Sequence, residues 1–280
     1  MSEAVPTFAA FVRPRWLTAP VAIGGLIAIF WIVVALTVSW WPIDDPFLSV
    51  GKRLSPPDGA HWIGTDRLAR DVLSRTLRGA RYSLPIALAV IASAVAIGGT
   101  LGAIGGFLGG VADAAIMRLV DITLSFPAIL LAMAVTASLG PGLRNATIAM
   151  IIVWWPVYAR LMRAQVLAVM EREHVEAAVA AGASAPRVLL AHIVPLCWSP
   201  ILINATMDFG QVVLLAASLS FIGLGASPPT PEWGQMISEG ARNFYQWWIA
   251  FGPGMAILSV ALGFNFLGDG LRDILDPRTQ

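Results

Sequence analysis

Charges along this chain are spaced so that long apolar runs alternate with short polar stretches. About 20 consecutive apolar residues carry a helix across the hydrocarbon of a bilayer, and the gaps between charges supply six such stretches. The first runs from about Thr18 to Trp41, the second lies between Arg81 and Asp113, and the third between Asp121 and Arg144. A fourth begins near Asn145 and continues past Arg160, a fifth runs from about Pro195 to Leu224, and a sixth from about Trp247 to Leu267. The fourth has the shortest charge-free core, and Arg144 and Arg160 can snorkel toward the interfaces at its ends. The pattern predicts an all-α, polytopic membrane helix bundle with six transmembrane helices. Residues 1–80 hold an N-terminal tail, the first helix and a polar segment; residues 81–280 hold the five-helix core. Arg13 and Arg15 precede an uncharged run from Trp16 to Ile43 that superficially resembles a signal peptide. A signal's apolar region is only about 7–15 residues and ends in a small-residue cleavage site. This run is longer and ends in Ser39-Trp40-Trp41-Pro42, so it is expected to remain as an uncleaved span.

Three finer patterns bear on how the spans pack. Trp16, Trp40, Trp41, Trp154, Trp155, Trp198, Trp247 and Trp248 fall near the expected span ends, where amphipathic rings favour the headgroup layer. Gly98, Gly102, Gly106 and Gly110 recur every four residues, with Gly105 and Gly109 beside them, which puts small residues on one helix face and lets another backbone approach. That face serves either a contact between subunits or the internal packing of any bundle, and the second is the simpler reading. In the fifth span Asn204, Asp208 and Gln211 stand at i, i+4 and i+7, on one face. A carboxylate inside a membrane faces a cavity or a partner rather than lipid. The stripe therefore either lines a translocation path, with Asn265 of the sixth span joining it, or forms an interhelical hydrogen-bond cluster.

Composition agrees with lipid as the solvent. The chain is 57% hydrophobic and 12% charged, with a mean hydropathy of +0.74, whereas soluble domains carry about a quarter charged residues. The net charge of +1 supplies no field for nucleic acid. Cys197 is the only cysteine, so no intrachain disulfide forms, and His61, His174 and His192 lie far apart, so no metal site is expected. Nucleotide hydrolysis by a P-loop needs a lysine in a glycine-rich turn. The one lysine, Lys52, sits before Arg53 with no such glycine pattern, so no catalytic residue is expected and any ATP must be hydrolysed elsewhere. Lys and Arg number nine on each side of the expected membrane, so the positive-inside rule leaves orientation open.

Between the fourth and fifth spans lies Glu171-Arg-Glu-His-Val-Glu-Ala-Ala-Val-Ala-Ala-Gly182. It is rich in helix formers, and Gly182 supplies a stop. Ser184 stands where it can cap a second short helix, with Pro186 tolerated in its first turn, leading through Arg187–His192 to Pro195. A helix pair with a shallow Ala-rich face, ringed by Glu171, Glu173 and Glu176, suits the groove of another protein; an ordinary solvated loop is the alternative.

These residues carry a resemblance. Glu176-Ala177-Ala178, with Gly182 and then Pro195, resembles the cytoplasmic coupling loop of ABC-importer permeases. His61-Trp-Ile-Gly64-Thr65-Asp66 followed by Arg70-Asp71-Val-Leu-Ser74-Arg75 resembles the block before the second span in the C-type subunits of dipeptide, oligopeptide and nickel permeases, with Ala69 where those proteins usually have glycine. Asp121-Ile-Thr-Leu-Ser125-Phe126-Pro127 resembles their third span, and Ser220-Phe221-Ile-Gly223-Leu-Gly225 with Pro228-Pro229-Thr-Pro231-Glu232-Trp233-Gly234 their last external loop. The tail from Phe264 to Asp273, with Asp276-Pro277-Arg278, completes a match covering most of the chain.

The resemblance implies a permease of the type I ABC-importer kind that moves short peptides inward by alternating access. Its site would be the coupling helix pair, with Glu173, Glu176, Ala177, Ala178, Gly182 and Ala183 docking on an ATPase. Pro231, Glu232 and Trp233 would meet the binding protein or an outer gate. Implied partners are a second, homologous permease forming a heterodimer, one fused or two separate ATPase subunits, an extracytoplasmic peptide-binding protein, and the lipid bilayer, with no nucleic acid. No cofactor is implied on this chain; ATP and Mg belong to the ATPase. The implied location is the bacterial inner membrane with both termini cytoplasmic. Relatives in this group also take nickel chelates, glutathione and haem-like ligands. A secondary transporter is the remoter alternative, since Asp208 is the only acidic candidate within a span and the halves show no convincing repeat.

Overall fold

A computed structural model describes residues 19–275. Arg13, Arg15 and Trp16, and Asp276-Pro277-Arg278 at the other end, lie outside the described residues. Helix α1 (Ala19–Thr37) ends in a 3-10 turn at Val38–Trp40. After an irregular segment come α2 (Val72–Leu108), α3 (Gly110–Leu124), α4 (Ala128–Leu139) and α5 (Leu143–Met170). Then follow α6 (Glu173–Ala180), the single turn α7 (Ala185–Arg187), a π-helical stretch (Val188–Ile193), α8 (Val194–Phe221), α9 (Trp233–Arg242) and α10 (Trp248–Leu275). Among the described residues there is no strand, only an isolated bridge between Thr65 and Asp71.

Among the described residues four stretches are long and apolar enough to cross a membrane: Ala19–Trp40, Val72–Leu108, Ala185–Phe221 and Trp248–Leu275. The expected third span is not one helix. It is the pair α3 and α4, which qualifies only when taken together and is bent by 91°. The break is at Ser125-Phe126-Pro127: Pro127 has no N–H to continue the ladder, and its ring pushes Phe126 away from helical geometry. The expected fourth span, α5, has 28 residues, long enough at about 1.5 Å per residue. Arg144, Arg160, Arg163 and Gln165 dilute its apolar character, so six spans are not reached by length and composition.

Helix α5 nevertheless occupies the middle, packed along α2 and touching α3, α4 and α8, while α10 lies between α1 and α8. The interior is built of small and branched residues such as Ala87, Val90, Ala146, Val153 and Val212, whereas Leu26, Ile29, Phe30 and Leu36 of α1 point outward. Lipid tails are as apolar as leucine, so tight contact between small residues, rather than flight from solvent, holds such helices together. The glycine stripe is the clearest case. A methyl group on Gly98 would overlap the carbonyl oxygen of Trp155, and one on Gly102 that of Ala159, so the stripe of α2 is the seat of α5. It packs within the chain, and Gly110 falls outside it, beyond the break between α2 and α3.

The tryptophans divide. Trp40, Trp198 and Trp247 are exposed at helix ends as a belt requires, but Trp248 is buried and donates from Nε1 to the Thr65 carbonyl at 3.1 Å. Trp154 stands mid-helix in α5, held by a carboxylate of α8.

Two glycines about one turn apart on α2 test the packing. Gly102→Ala is expected to lower stability by about 1–3 kcal/mol through overpacking. Gly99→Ala, whose methyl would meet nothing within 4 Å, is expected to be neutral or to stabilise by up to about 1 kcal/mol as a better helix former. Thermal unfolding of both variants in detergent checks the contrast; equal effects would mean that α2 and α5 are not in backbone contact.

Candidate functional site

Helices α2 and α8 each have one end near α6 and the other near α9, so α6 and α9 mark opposite ends of the bundle. At the first end, α6 begins two residues later than Glu171 and is closed by a Schellman motif. The Gly182 amide donates to the Val179 carbonyl at 2.9 Å and the Ala183 amide to that of Ala178 at 3.1 Å, with Gly182 at φ +81°. Ser184 takes the cap position of α7, but its side chain makes no capping hydrogen bond. Beyond α7 the chain widens into a π-turn and enters α8, where Pro195 has no N–H for the Ala191 carbonyl.

Only Val175 of α6 is buried, in a cluster with Val166 and Val169 of α5 and with Val188 and Ile193 of the π-helical stretch that leads into α8. Glu173, Glu176, Ala177 and Gly182 are exposed, and Ala178 and Ala183 half-buried. Val179 is 58% and Leu190 67% exposed. Beside them opens an apolar hollow of about 540 Å³ lined by Phe107, Met170, Val179, Ala180, Ala183 and Val188. A small-residue ledge with apolar side chains left uncovered is a surface fit for another protein.

In the middle of the bundle the polar stripe separates. Asp208 Oδ2 accepts from Tyr158 Oη at 2.9 Å and from Trp154 Nε1 at 3.2 Å, both on α5, which is the interhelical arrangement. Asn204 donates to the Pro200 carbonyl and Asn265 to that of Ala261, each within its own helix, and Gln211 is exposed. None of the four hydrogen-bonds another. Asn204 also lines a hollow of about 440 Å³ with Met207 of α8 and Arg272 of α10.

At the other end the segment before α2 is tied into a knot of buried charge. Asp66 Oδ1 accepts from the amides of Leu68 and Arg70, while Oδ2 faces Arg70 Nε at 2.6 Å and Arg75 Nε at 3.4 Å. Arg70 Nη2 reaches Glu239 of α9 at 3.3 Å, and Arg75 Nη1 donates to the carbonyls of Pro46 and Pro229. Asp66, Arg70 and Arg75 are 1–2% exposed, so each charge depends on the others. Asp71 caps α2, its Oδ2 accepting from the Ser74 amide at 2.6 Å. Spacing alone did not link Asp66 to Glu239, because the partners are far apart in sequence.

The external block is structural in detail. Pro231, Glu232 and Trp233 are buried, so in this conformation they offer no surface to a partner; they fix α9 instead. Glu232 accepts from the Gln235 amide at 2.9 Å, and Trp233 Nε1 donates to the Thr76 carbonyl at 2.8 Å. Gly234 lies so close to Ala217 of α8 that no side chain fits. Burial pushes the Glu232 carboxyl up from its ordinary value, against the opposing amides of Gly234 and Gln235.

Residues 98–280 match the family described as the inner membrane component of binding-protein-dependent transport systems. The chain is 44% identical over 256 residues to the probable D,D-dipeptide transport system permease protein of Escherichia coli, covering 90% of this chain and 86% of that one. It is 45% identical over 258 residues to the dipeptide transport system permease protein of Alkalihalophilus pseudofirmus, covering 91% and 82%. To the glutathione transport system permease protein of Pectobacterium atrosepticum it is 40% identical over 270 residues, covering 95% and 90%.

Two substitutions test this end. Ala69 sits at φ +60°, a left-handed conformation that costs a non-glycine residue roughly 1–2 kcal/mol. After glycine's own entropic cost of about 0.5–1 kcal/mol, Ala69→Gly is expected to stabilise by up to about 1 kcal/mol, read as a higher unfolding midpoint. The second is Glu232→Gln. A carboxyl raised on folding releases its proton earlier in the unfolded chain, so folded stability falls as pH rises from the ordinary value of 4.5 through the raised folded one. Glu232→Gln keeps an acceptor for the Gln235 amide and removes that loss. Its midpoint should exceed the parent's above this range and converge with it below; parallel pH curves would refute the assignment.

Proposed function

Because this chain belongs to the family of inner membrane components of binding-protein-dependent transport systems, we propose that it is the permease subunit of an ATP-driven importer of short peptides, working by alternating access. The observation that carries the reading is the α6 ledge: an exposed small-residue helix, pinned by Val175 alone to a cluster shared with α5 and α8. An ATPase seated on Glu173, Glu176, Ala177, Ala178, Gly182 and Ala183 would push on the ends of two interior helices at once. Docking must differ in strength between the inward and outward states, because only a differential interaction moves their equilibrium.

The ATP and Mg are bound by that partner, since Lys52 lacks the glycine-rich setting of a phosphate-binding loop. A second, homologous permease completes the conduit, with one fused or two separate ATPases beneath and a peptide-binding protein outside. The α6 end then faces the cytoplasm together with both termini, and α5 crosses as the fourth of six spans, its arginines lying toward the interfaces. Peptide is the proposed substrate because the relatives named above include dipeptide permeases. Asn204, beside the hollow between α8 and α10, is the polar residue best placed to meet it. Asp208, Gln211 and Asn265 act in holding or flanking that wall. On the outer side Glu232 and Trp233 position α9, and the binding protein meets its exposed neighbours, Ser227, Pro228 and Tyr245.

Charge reversal at α6 tests the docking. Glu176→Lys is exposed and should leave stability within about 0.5 kcal/mol, yet abolish peptide uptake and co-purification of the ATPase. Normal uptake with an intact complex would sink the reading. Ala177→Cys, against a background in which Cys197 is buried, should resist a membrane-impermeant maleimide added to intact cells and react after the cells are opened.

A further inference from the structure

Three side chains from separate parts of the segment ahead of α2 converge on one point. Asp44 follows the turn that ends α1, His61 lies in the intervening loop, and Asp71 caps α2. One ligand atom from each of Asp44, His61 and Asp71 lies within 4.8 Å of the other two. The Nδ1 to Asp71 Oδ1 separation is 3.3 Å and that to Asp44 Oδ2 is 3.9 Å.

Both separations are ion-pair distances, and neither has the alignment of a good hydrogen bond. His61 Nδ1 is shut off from solvent and has no hydrogen-bond partner, although two carboxylate oxygens stand beside it. A buried ring nitrogen left unpaired costs free energy, and native structures rarely tolerate it. The surroundings hold the group in place. Asp71 Oδ2 is committed to the Ser74 amide, leaving Oδ1 turned toward His61, and the Ser74 hydroxyl donates to the Asp44 carbonyl. One serine thus fixes both acidic residues.

An imidazole nitrogen and carboxylate oxygens are both ligand types that zinc takes, and three protein ligands leave a fourth position open. Zinc bonds of about 2.0–2.2 Å in a tetrahedron place neighbouring ligand atoms roughly 3.3–3.6 Å apart, and the separations of 3.3 and 3.9 Å need little adjustment to reach that. Asp44 is 45% exposed on its side chain, which leaves water a way to the fourth position. The geometry points to a divalent transition-metal site at Asp44, His61 and Asp71 that staples the segment from residue 41 to residue 71 onto the first turn of α2. This departs from the expectation of no metal, which rested on histidine spacing. It is independent of what the protein transports.

The test uses the full-length chain in detergent, stripped with EDTA and reloaded with Zn²⁺. Bound zinc is counted by elemental analysis after desalting, and unfolding midpoints are recorded with and without the ion. One equivalent and a raised midpoint are expected. Loss even of an outer-shell partner weakens metal binding by roughly 10–100-fold, so Asp44→Asn should weaken Zn²⁺ by at least about tenfold. The Asp44 side chain makes no hydrogen bond, so this variant keeps the fold, checked by an unchanged metal-free midpoint. His61→Gln should abolish the bound equivalent. No zinc in the parent above the His61→Gln level would overturn the proposal and leave a plain polar contact of His61 with the two carboxylates. Equal zinc in parent and Asp44→Asn would overturn the assigned ligands.

Discussion

A helix gains little from burying apolar surface against another helix when the alternative is lipid, and this constraint shapes the whole chain. Cohesion has to come from backbones close enough for dispersion to add up and from polar contacts that lipid cannot replace. The glycines of α2 answer the first need by seating α5. Gly24 and Gly263 answer it again, since a methyl on Gly24 would come within 2.5 Å of the Gly263 carbonyl, and Gly210 repeats it against Ala261 at 2.7 Å. The stacked rings of Phe209 and Phe264, with centroids 4.1 Å apart, complete the contact of α8 with α10.

Polar contacts supply the second kind of cohesion and are graded by depth. Near the α6 end, Arg163 grips Asp113 in a fork at 2.5 and 2.6 Å, and exposed Arg160 reaches Asp121 at 2.8 Å, tying α3 to α5. Exposed pairs of this sort contribute little to stability. Asp208 with Trp154 and Tyr158 is deeper and fixes the register of α8 on α5. The knot of Asp66, Arg70, Arg75 and Glu239 is deepest. Desolvating those charges offsets most of their attraction, so its effect lies in geometry: one arrangement of α2, α9 and the connecting segment satisfies the buried guanidinium groups.

Much of this was legible in residue order. Charge gaps located α1, α2, α8 and α10 because apolar length is a property of a single segment. The Gly182 stop and the small face of α6 could be read because capping and helix propensity are local. The break at Pro127 carried a local signal too, but the apolar run around it read as continuous. Trp154 was assigned to an interface because its true partner, Asp208, lies on another helix. The same limit hid the burial of Glu232 and Trp233, and the meeting of Asp44, His61 and Asp71. Ala69 shows the converse: its departure from glycine was visible in the chain, and only the backbone angle explains why glycine suits that place.

The distribution of tight and loose contacts also says how a push would travel. Val175 couples α6 to α5 and to the start of α8, the glycine seat couples α5 to α2, and Asp208 couples α8 back to α5. These three helices are therefore packed as one body, and on the proposed reading a force on α6 would tilt that body instead of sliding one helix past another. Helix α3 hangs on ion pairs that are partly open to solvent and lies across a sharp bend from α4, so it can change its angle at small energetic cost. The knot near α9 clamps the far end of α2, and a rigid lever clamped at one end and pushed at the other turns about the clamp. On the proposed reading, rocking of α2, α5 and α8 about the buried charges is the motion by which docking at α6 would widen or narrow the space beside Asn204.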